Sequence, residues 1–454
     1  MYLIAETLTI ERRMFMKRFL SVMMAAAIMA MLFTGMVPAY ADTLPYGLPE
    51  LDITGDTVTY LTWDSQRNID KDPANLLMQE VYGCKLKVVR TTYAELANKA
   101  ATLRMSGSTP DLIKFKDMEF PSFINNDIVA DVTDYLDYSN PLWAGLEDTA
   151  NAYSFKDRCY VFPCGKVANN NYVYYWTSYF EDYGLETPLE MYKNGEWTMS
   201  AMRDMMKELT TDDDRDGIVD VYGLVLTPIY SFNMSGEDLV IWDETQSKYV
   251  NNLRSPKIAE FFDWIYETGS AGDDSRLMSL EDVSCFTAKS AVMMLGEAWV
   301  RSEFYDEICN GEIEFAPAPR MDSNDEYFAR GRAEVYWMGK ESANPNGALA
   351  YLACCRAISL NEGLGEELAA RAGMEYNKWP EEIKELKDMM DDPENFHFVI
   401  SRALGMGNWG SSDSGDGIFD MLSCITQFEL PWQTILEKHY PLLQDSIDIM
   451  NGDK

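Results

Sequence analysis

Two strand patterns that bracket a helix pattern set the terms for the rest of this chain. Asp56-Thr-Val-Thr-Tyr-Leu-Thr-Trp63 alternates and is β-branched, so it reads as a strand. From Thr92 to Arg104, Leu96, Ala100 and Leu103 fall on one helical face, and Ser106-Gly107 supplies the stop. Thr109-Pro110-Asp111 then opens a second strand, Leu112 to Phe115. A strand, a helix and a strand at this spacing predict a βαβ unit with a parallel sheet.

Length and composition widen the picture. The chain has 454 residues, too many for one ordinary core, which points to two domains or three. Hydrophobic content of 47% and aromatic content of 13% exclude a disordered chain. Lys17 and Arg18 precede an apolar run from Phe19 to Met36, and Val37-Pro38-Ala39-Tyr40-Ala41 gives it a small-x-small exit. That order predicts a secretory signal peptide over residues 1–41, cut after Ala41, and an exported product that is periplasmic or extracellular at the cell surface. A single membrane anchor is the competing reading of the run, and the small residues at 39 and 41 favour the signal. No Cys follows the run to support a lipid anchor.

The net charge of −36 repels phosphate backbones and anionic lipid. Nucleic acid is therefore excluded as a partner, and a neutral or cationic ligand suits the chain better. Its eight cysteines form no disulfide scaffold and show no zinc-ribbon spacing, although Cys159 and Cys164 could pair.

Further along, Ser154 to Phe162 predicts a hairpin turning at Lys156-Asp157, and Asn169 to Tyr179 is aromatic and strand-like. Thr198 caps a helix through Leu209. Ser255-Pro256 starts another, with Ile258, Phe261, Phe262 and Ile265 on its core face. A helix is expected from Ser279 to Phe286, a buried strand over Ala291 to Leu295, and a long helix from Asn344-Pro345 to Ile358. Alternating strands and helices without a low-complexity linker predict an α/β fold of two lobes with ligand held between them.

A set of short stretches carries a resemblance. They are Tyr93-Ala-Glu95, Ser106-Gly107-Ser-Thr-Pro110-Asp111, Tyr160-Val-Phe-Pro163, Tyr183-Gly-Leu-Glu-Thr-Pro188 and Glu196-Trp197-Thr198. Asp216-Gly217-Ile-Val-Asp220-Val-Tyr222-Gly223, Phe286 to Trp299, Ala316-Pro-Ala-Pro319 and Asn344-Pro345-Asn-Gly-Ala-Leu-Ala350 follow in order. In that order and spacing the chain resembles family 1 extracellular solute-binding proteins, the maltose-binding-protein-like receptors of ATP-binding-cassette importers. The resemblance implies a periplasmic-binding-protein-like fold with three hinge crossings and a ligand cleft between lobes. Mapped onto this chain, one lobe comprises 42–165 and 313–358, and the other 166–312 and 359–454. It also implies a monomeric receptor that captures a sugar or oligosaccharide and delivers it to a membrane permease, without catalysis. A peptide, a polyamine or another small solute in the same fold is the alternative, and a secreted glycoside hydrolase a remote one.

Sugars present C–H faces and hydroxyl edges, so their sites combine aromatic rings with planar polar groups. The chain has 11 Trp and 26 Tyr. Trp299 follows Gly296 after a strand, where relatives of the family similarly place a stacking ring. Phe115 and Asp117 end one strand, and Asp64 and Arg67 follow another, at the carboxyl edge where open α/β sheets bind ligands. Asn169 lies just past a crossing, at a position similar to a ligand-contacting carboxylate in the maltose binder. Trp409, in a glycine-rich stretch, is a third ring, whereas Trp63, Trp197 and Trp337 read as core. Separately, Asp212, Asp214, Asp216-Gly217 and Asp220 spell the first nine positions of a calcium loop. Its twelfth position is Gly223 in place of a bidentate Glu, so an acidic surface turn competes with a structural calcium site. No other cofactor is expected. His397 and His439 are the only histidines, and neither adjoins a nucleophile motif or a zinc-spaced partner.

Overall fold

Each predicted strand finds its place in one of two five-stranded sheets or in a smaller one beside them. The computed structural model describes residues 44–453 except 54, 227–230, 270–276, 280–282, 362, 375–377, 402–404, 406–416 and 427–429. The expected signal peptide lies outside the described residues, and the chain from Gly47 onward forms one unit. The strands of the three larger sheets run in chain order β1 (Thr57–Thr62), β2 (Lys85–Arg90), β3 (Leu112–Lys114), β4 (Phe162–Pro163), β5 (Ala168–Asn169), β6 (Tyr172–Trp176) and β7 (Tyr222–Leu226). They continue as β8 (Met278–Ser279), β9 (Ala291–Gly296), β10 (Ile313–Pro317), β11 (Phe328–Arg332), β12 (Val335–Met338) and β13 (His397–Val399). The main helices are α1 (Pro73–Tyr82), α2 (Leu96–Met105), α3 (Met199–Leu209), α4 (Pro256–Gly269), α5 (Pro345–Leu360), α6 (Glu381–Asp391), α7 (Ile418–Thr426) and α8 (Trp432–Asn451).

The first sheet has the order β2-β1-β3-β12-β4. β1 is parallel to both β2 and β3, whereas β12 runs antiparallel to β3 and β4. The expected βαβ unit is therefore present, with Leu96 and Ala100 of α2 buried, but a further helix and strand are wound into it. α1 begins where Asp72 accepts the Ala74 N–H at 2.9 Å and Pro73 sets the first helical position, and it ends at Gly83 with φ of 69°. α5 packs against α1. Its Gly347 has no room for a side chain: a Cβ there would meet Asn344 Nδ2 at 2.5 Å and Val58 Cγ2 at 2.7 Å.

The second sheet has the order β8-β7-β9-β6-β10. β6 and β9 are buried along their whole length, as their apolar and aromatic runs require. β10 pairs with β6 from Ile313↔Trp176 to Pro317↔Tyr172. The sequence boundary at 313 gave this segment to the first lobe; the pairing places it in the second sheet, and the chain returns to the first sheet only at β12. Two of the connecting segments pair with each other: β5 meets β11 antiparallel through Gly331↔Asn169 and Arg332↔Ala168, and β13 lies along β11.

Local expectations hold at the caps. Thr198 accepts the Ala201 N–H at 3.2 Å, Asn344 accepts the Gly347 N–H at 3.0 Å, and Lys156 and Asp157 take the positive φ values of a tight hairpin turn. Ile258, Phe261, Phe262 and Ile265 are all buried. Two expectations fail. The aromatic run from Asn169 gives way to a helix at Thr177–Tyr183, where Phe180 alone is buried and the strand's continuous burial ends. Met278–Ser279 is a strand where the helix is expected to begin, and the described helix runs Val283–Thr287. No disulfide joins any of the eight cysteines; Cys159 Sγ donates to the Val161 carbonyl at 3.1 Å and Cys164 Sγ to the Leu352 carbonyl at 3.6 Å. Among the described residues, no helix is long and apolar enough to cross a membrane.

Candidate functional site

A cavity of about 460 Å³ opens where the ends of both five-stranded sheets meet the connecting segments. From the first sheet it receives Tyr60, Asp64, Lys114 and Phe115, together with Tyr336 from β12 and Tyr351 from α5. From the second it receives Ala298, Trp299 and Arg301, which follow β9. Asn169 and Asn170, the segment from Arg332 to Val335, and Lys387 and Asp391 of α6 close the remaining side.

Both apolar and polar groups line this wall. Tyr60, Tyr336 and Tyr351 have ring centroids between 5.7 and 6.3 Å apart. Burial pushes all three phenols well above their ordinary pKa, so they stay neutral hydroxyl donors. Tyr351 donates to Asp72 at 2.6 Å, and Tyr336 donates to Glu334 at 2.9 Å. Loss of hydration raises the pKa of both carboxyls, and these tyrosine hydrogen bonds oppose the rise. Lys114 pairs with Asp64 at 2.5 Å and lies 4.6 Å above the Trp63 ring; Lys387 pairs with Asp391 at 2.5 Å.

Of the sequence-predicted residues, the fold brings Trp299, Phe115, Asp64 and Asn169 together at this cavity. Trp299 is 49% exposed, and its indole N–H donates to Glu297 at 3.3 Å. The other tryptophans expected in the core divide: Trp197 and Trp337 are fully buried, whereas Trp63 keeps partial exposure. Phe115 reaches the wall with little exposed surface, because its ring packs on Trp337 and Tyr153. Asn169 is buried, with Oδ1 accepting the Asn171 N–H at 2.8 Å and its own N–H donating to Asp391 at 3.1 Å.

Asp117 and Arg67 are placed elsewhere. Asp117 pairs with buried Arg330 of β11, whose Nη1 also donates to Glu297 at 2.6 Å. Glu297 accepts in turn from Asn170 at 2.8 Å. Asp117 thus belongs to an ion-pair network joining the end of β3, the end of β9 and a connecting strand. Arg67 is exposed on a short helix and does not line the cavity. Trp409 lies outside the described residues.

Tyr60, Asp72, Lys114, Arg301, Glu334, Tyr336, Tyr351, Lys387 and Asp391 were missed by sequence reasoning. Asp72 carried a legible signal as the cap before Pro73, and Arg301 sits two residues beyond Trp299. The others arrive from distant segments, and nothing local marks them.

In the acidic loop, carboxylate oxygens of Asp212, Asp214 and Asp216 lie within 4.8 Å of one another. Backbone N–H groups already occupy several of them: Gly217 N–H donates to Asp212 at 2.9 Å and Asp216 N–H to Asp214 at 3.1 Å. Asp220 accepts the Asp213 N–H at 2.7 Å, and Gly223 supplies no carboxylate at the start of β7.

The sequence profile of bacterial extracellular solute-binding proteins matches residues 77–359, well over half the chain. The chain belongs to that family. This solute-binding protein has the two-lobed fold of solved sugar receptors, although their sequences have drifted far. An ABC substrate-binding protein of Listeria monocytogenes in complex with cycloalternan superposes with a TM-score of 0.60 at 13% identity, covering 87% of this chain and 99% of its own. A maltose/maltodextrin-binding domain of Bdellovibrio bacteriovorus bound to maltotriose gives 0.58 at 14% identity, covering 86% and 99%. An ABC transporter solute-binding protein of Agrobacterium vitis with bound D-mannitol gives 0.56 at 15%, covering 87% and 98%. At the level of sequence, no curated protein matches the chain.

Proposed function

We propose that this solute-binding protein captures a carbohydrate in the cavity between its two main sheets and passes it to the membrane permease of an ATP-driven importer. The observation that carries the reading is Trp299: a large ring left half uncovered at a concave wall that also presents hydroxyl, carboxyl, amide and cationic groups. A ring face for stacking beside planar hydrogen-bonding groups is what a pyranose needs. The ligands of the structural relatives, cycloalternan, maltotriose and mannitol, agree with it.

In this reading the segments through β5 and β11 and the chain beyond α5 act as the three crossings. Residues on opposite sides of the cavity close around the ligand by rigid-body motion. No catalytic step enters it. Residues 1–41 serve as the export signal, and the mature protein works as a monomer outside the cytoplasm. The loop of Asp212, Asp214 and Asp216 stands apart from the cavity, with calcium as its candidate ion and stability as its role.

A thermal-shift screen of the mature chain against mono- and oligosaccharides, short peptides and polyamines tests the proposal, because a ligand that binds only the folded state raises the melting temperature. A sugar is expected to give the largest shift. A peptide or polyamine giving it instead would keep the receptor and replace its cargo.

A further inference from the structure

Two buried hydrogen-bond donors at this cavity have no acceptor among the described residues. Asn169 is 3% exposed, and while its Oδ1 is used, its Nδ2 has no acceptor. Arg301 Nη1 is likewise buried without an acceptor. The two residues flank one ring. The Arg301 guanidinium lies 4.5 Å from the Tyr172 ring centre, and the Tyr172 hydroxyl donates to the Asn169 carbonyl at 2.9 Å. Both residues line the cavity.

The charges around them sharpen the point. Lys114 is neutralised by Asp64, Lys387 by Asp391, and Arg332 lies 3.8 Å from Glu297. Asp391 is fully engaged: it also accepts the Tyr172 hydroxyl at 3.2 Å and the Asn169 N–H at 3.1 Å. Arg301 is the one cation of the cavity wall with no carboxylate partner among the described residues. A partly buried guanidinium resting on an aromatic face is poorly hydrated, and its fork of N–H groups matches a carboxylate. Neutral hydroxyls could occupy the donors but would leave the charge uncompensated.

We propose that the ligand carries a carboxylate, received by Arg301 and Asn169 beside Tyr172, so that the cargo is an acidic sugar such as a uronate-containing oligosaccharide. The inference rests on the carbohydrate reading and narrows it. It runs against the field of a chain with net charge −36, but that field is screened over about 8 Å at physiological ionic strength, whereas the pairing acts at contact.

Titration calorimetry on the mature protein, with uronate di- and trisaccharides against neutral sugars of matched length, tests it. Uronates are expected to bind at least about tenfold more tightly than their neutral partners. Arg301→Gln should weaken uronate binding by roughly 10- to 150-fold, the loss of a charge-assisted hydrogen bond, and weaken neutral sugars by a clearly smaller factor, the loss of a neutral one. Arg301→Lys should fall between. The wild-type preference needs no variant, so misfolding of Arg301→Gln, checked by its melting temperature, leaves the test intact. Neutral sugars binding as tightly as uronates, or Arg301→Gln weakening both alike, would overturn the carboxylate and keep the sugar. Failure of every sugar in both sets overturns the carbohydrate reading and this inference with it.

Discussion

Replacing Trp299 with alanine separates a ligand platform from a packing residue. A tryptophan contributes roughly 150–250 Å² when fully buried. With Trp299 49% exposed, about 100 Å² remains for a ligand to cover. At about 25 cal/mol per Å², full coverage is worth about 2.5 kcal/mol, and partial coverage together with the stacking contribution of an aromatic contact about 1–3 kcal/mol. The dissociation constant of the best sugar should therefore rise by roughly 5- to 150-fold, read by calorimetry or by quenching of the indole fluorescence. The unliganded melting temperature should change little, because the ring is the start of a short helix with one indole bond to Glu297. Trp197→Ala is the contrast: that ring is fully buried and donates to the Pro317 carbonyl at 2.8 Å, so its loss should cost about 3–5 kcal/mol of stability. Lost stability with unchanged affinity in Trp299→Ala would refute the platform.

Three further outcomes follow from the same geometry. Arg330→Met leaves Asp117 and Glu297 facing each other without their buried cation, and is expected to cost about 3–5 kcal/mol in chemical denaturation; a loss under about 1 kcal/mol would mean the network is solvated. Glu334 has a folded-state pKa raised by desolvation, so its proton is held more tightly in the folded chain and its charge works against folding above the unfolded value near pH 4. Glu334→Gln should raise the melting temperature at pH 7, with the gain vanishing as pH falls below about 4; a gain that persists in acid would contradict the cause. EDTA should lower the melting temperature if calcium occupies the acidic loop, and Asp214→Ala should remove that sensitivity; no change from either treatment leaves a hydrogen-bonded turn.

Legibility in the sequence followed the range of the interactions. The buried strand at Ala291, the capped helices at Thr198 and Pro345, and the hairpin turn at Lys156-Asp157 are set by neighbours a few residues away. They could be read directly. β2 was overlooked although Lys85-Leu-Lys-Val-Val-Arg90 alternates, because its charged positions mask an edge strand. Trp299 was found through its place after a strand, and Asp64 through the carboxyl-edge rule. Asp117 obeyed the same rule and took another role, because Arg330, 213 residues away, claims its carboxylate. The tyrosine cluster and Arg301 could not be assembled without the fold, since Tyr60, Tyr336 and Tyr351 meet only when β1, β12 and α5 pack.

The central claim is that a sugar sits between the two sheets against Trp299. A crystal structure of the mature protein with the best hit of the carbohydrate screen tests it most directly. A sugar ring is expected packed on the Trp299 face, its polar edge within hydrogen-bond reach of Asn169 Nδ2 and Arg301 Nη1, and Asp117 still bound to Arg330. A ligand seated elsewhere on the molecule, with Trp299 left uncovered, would contradict it.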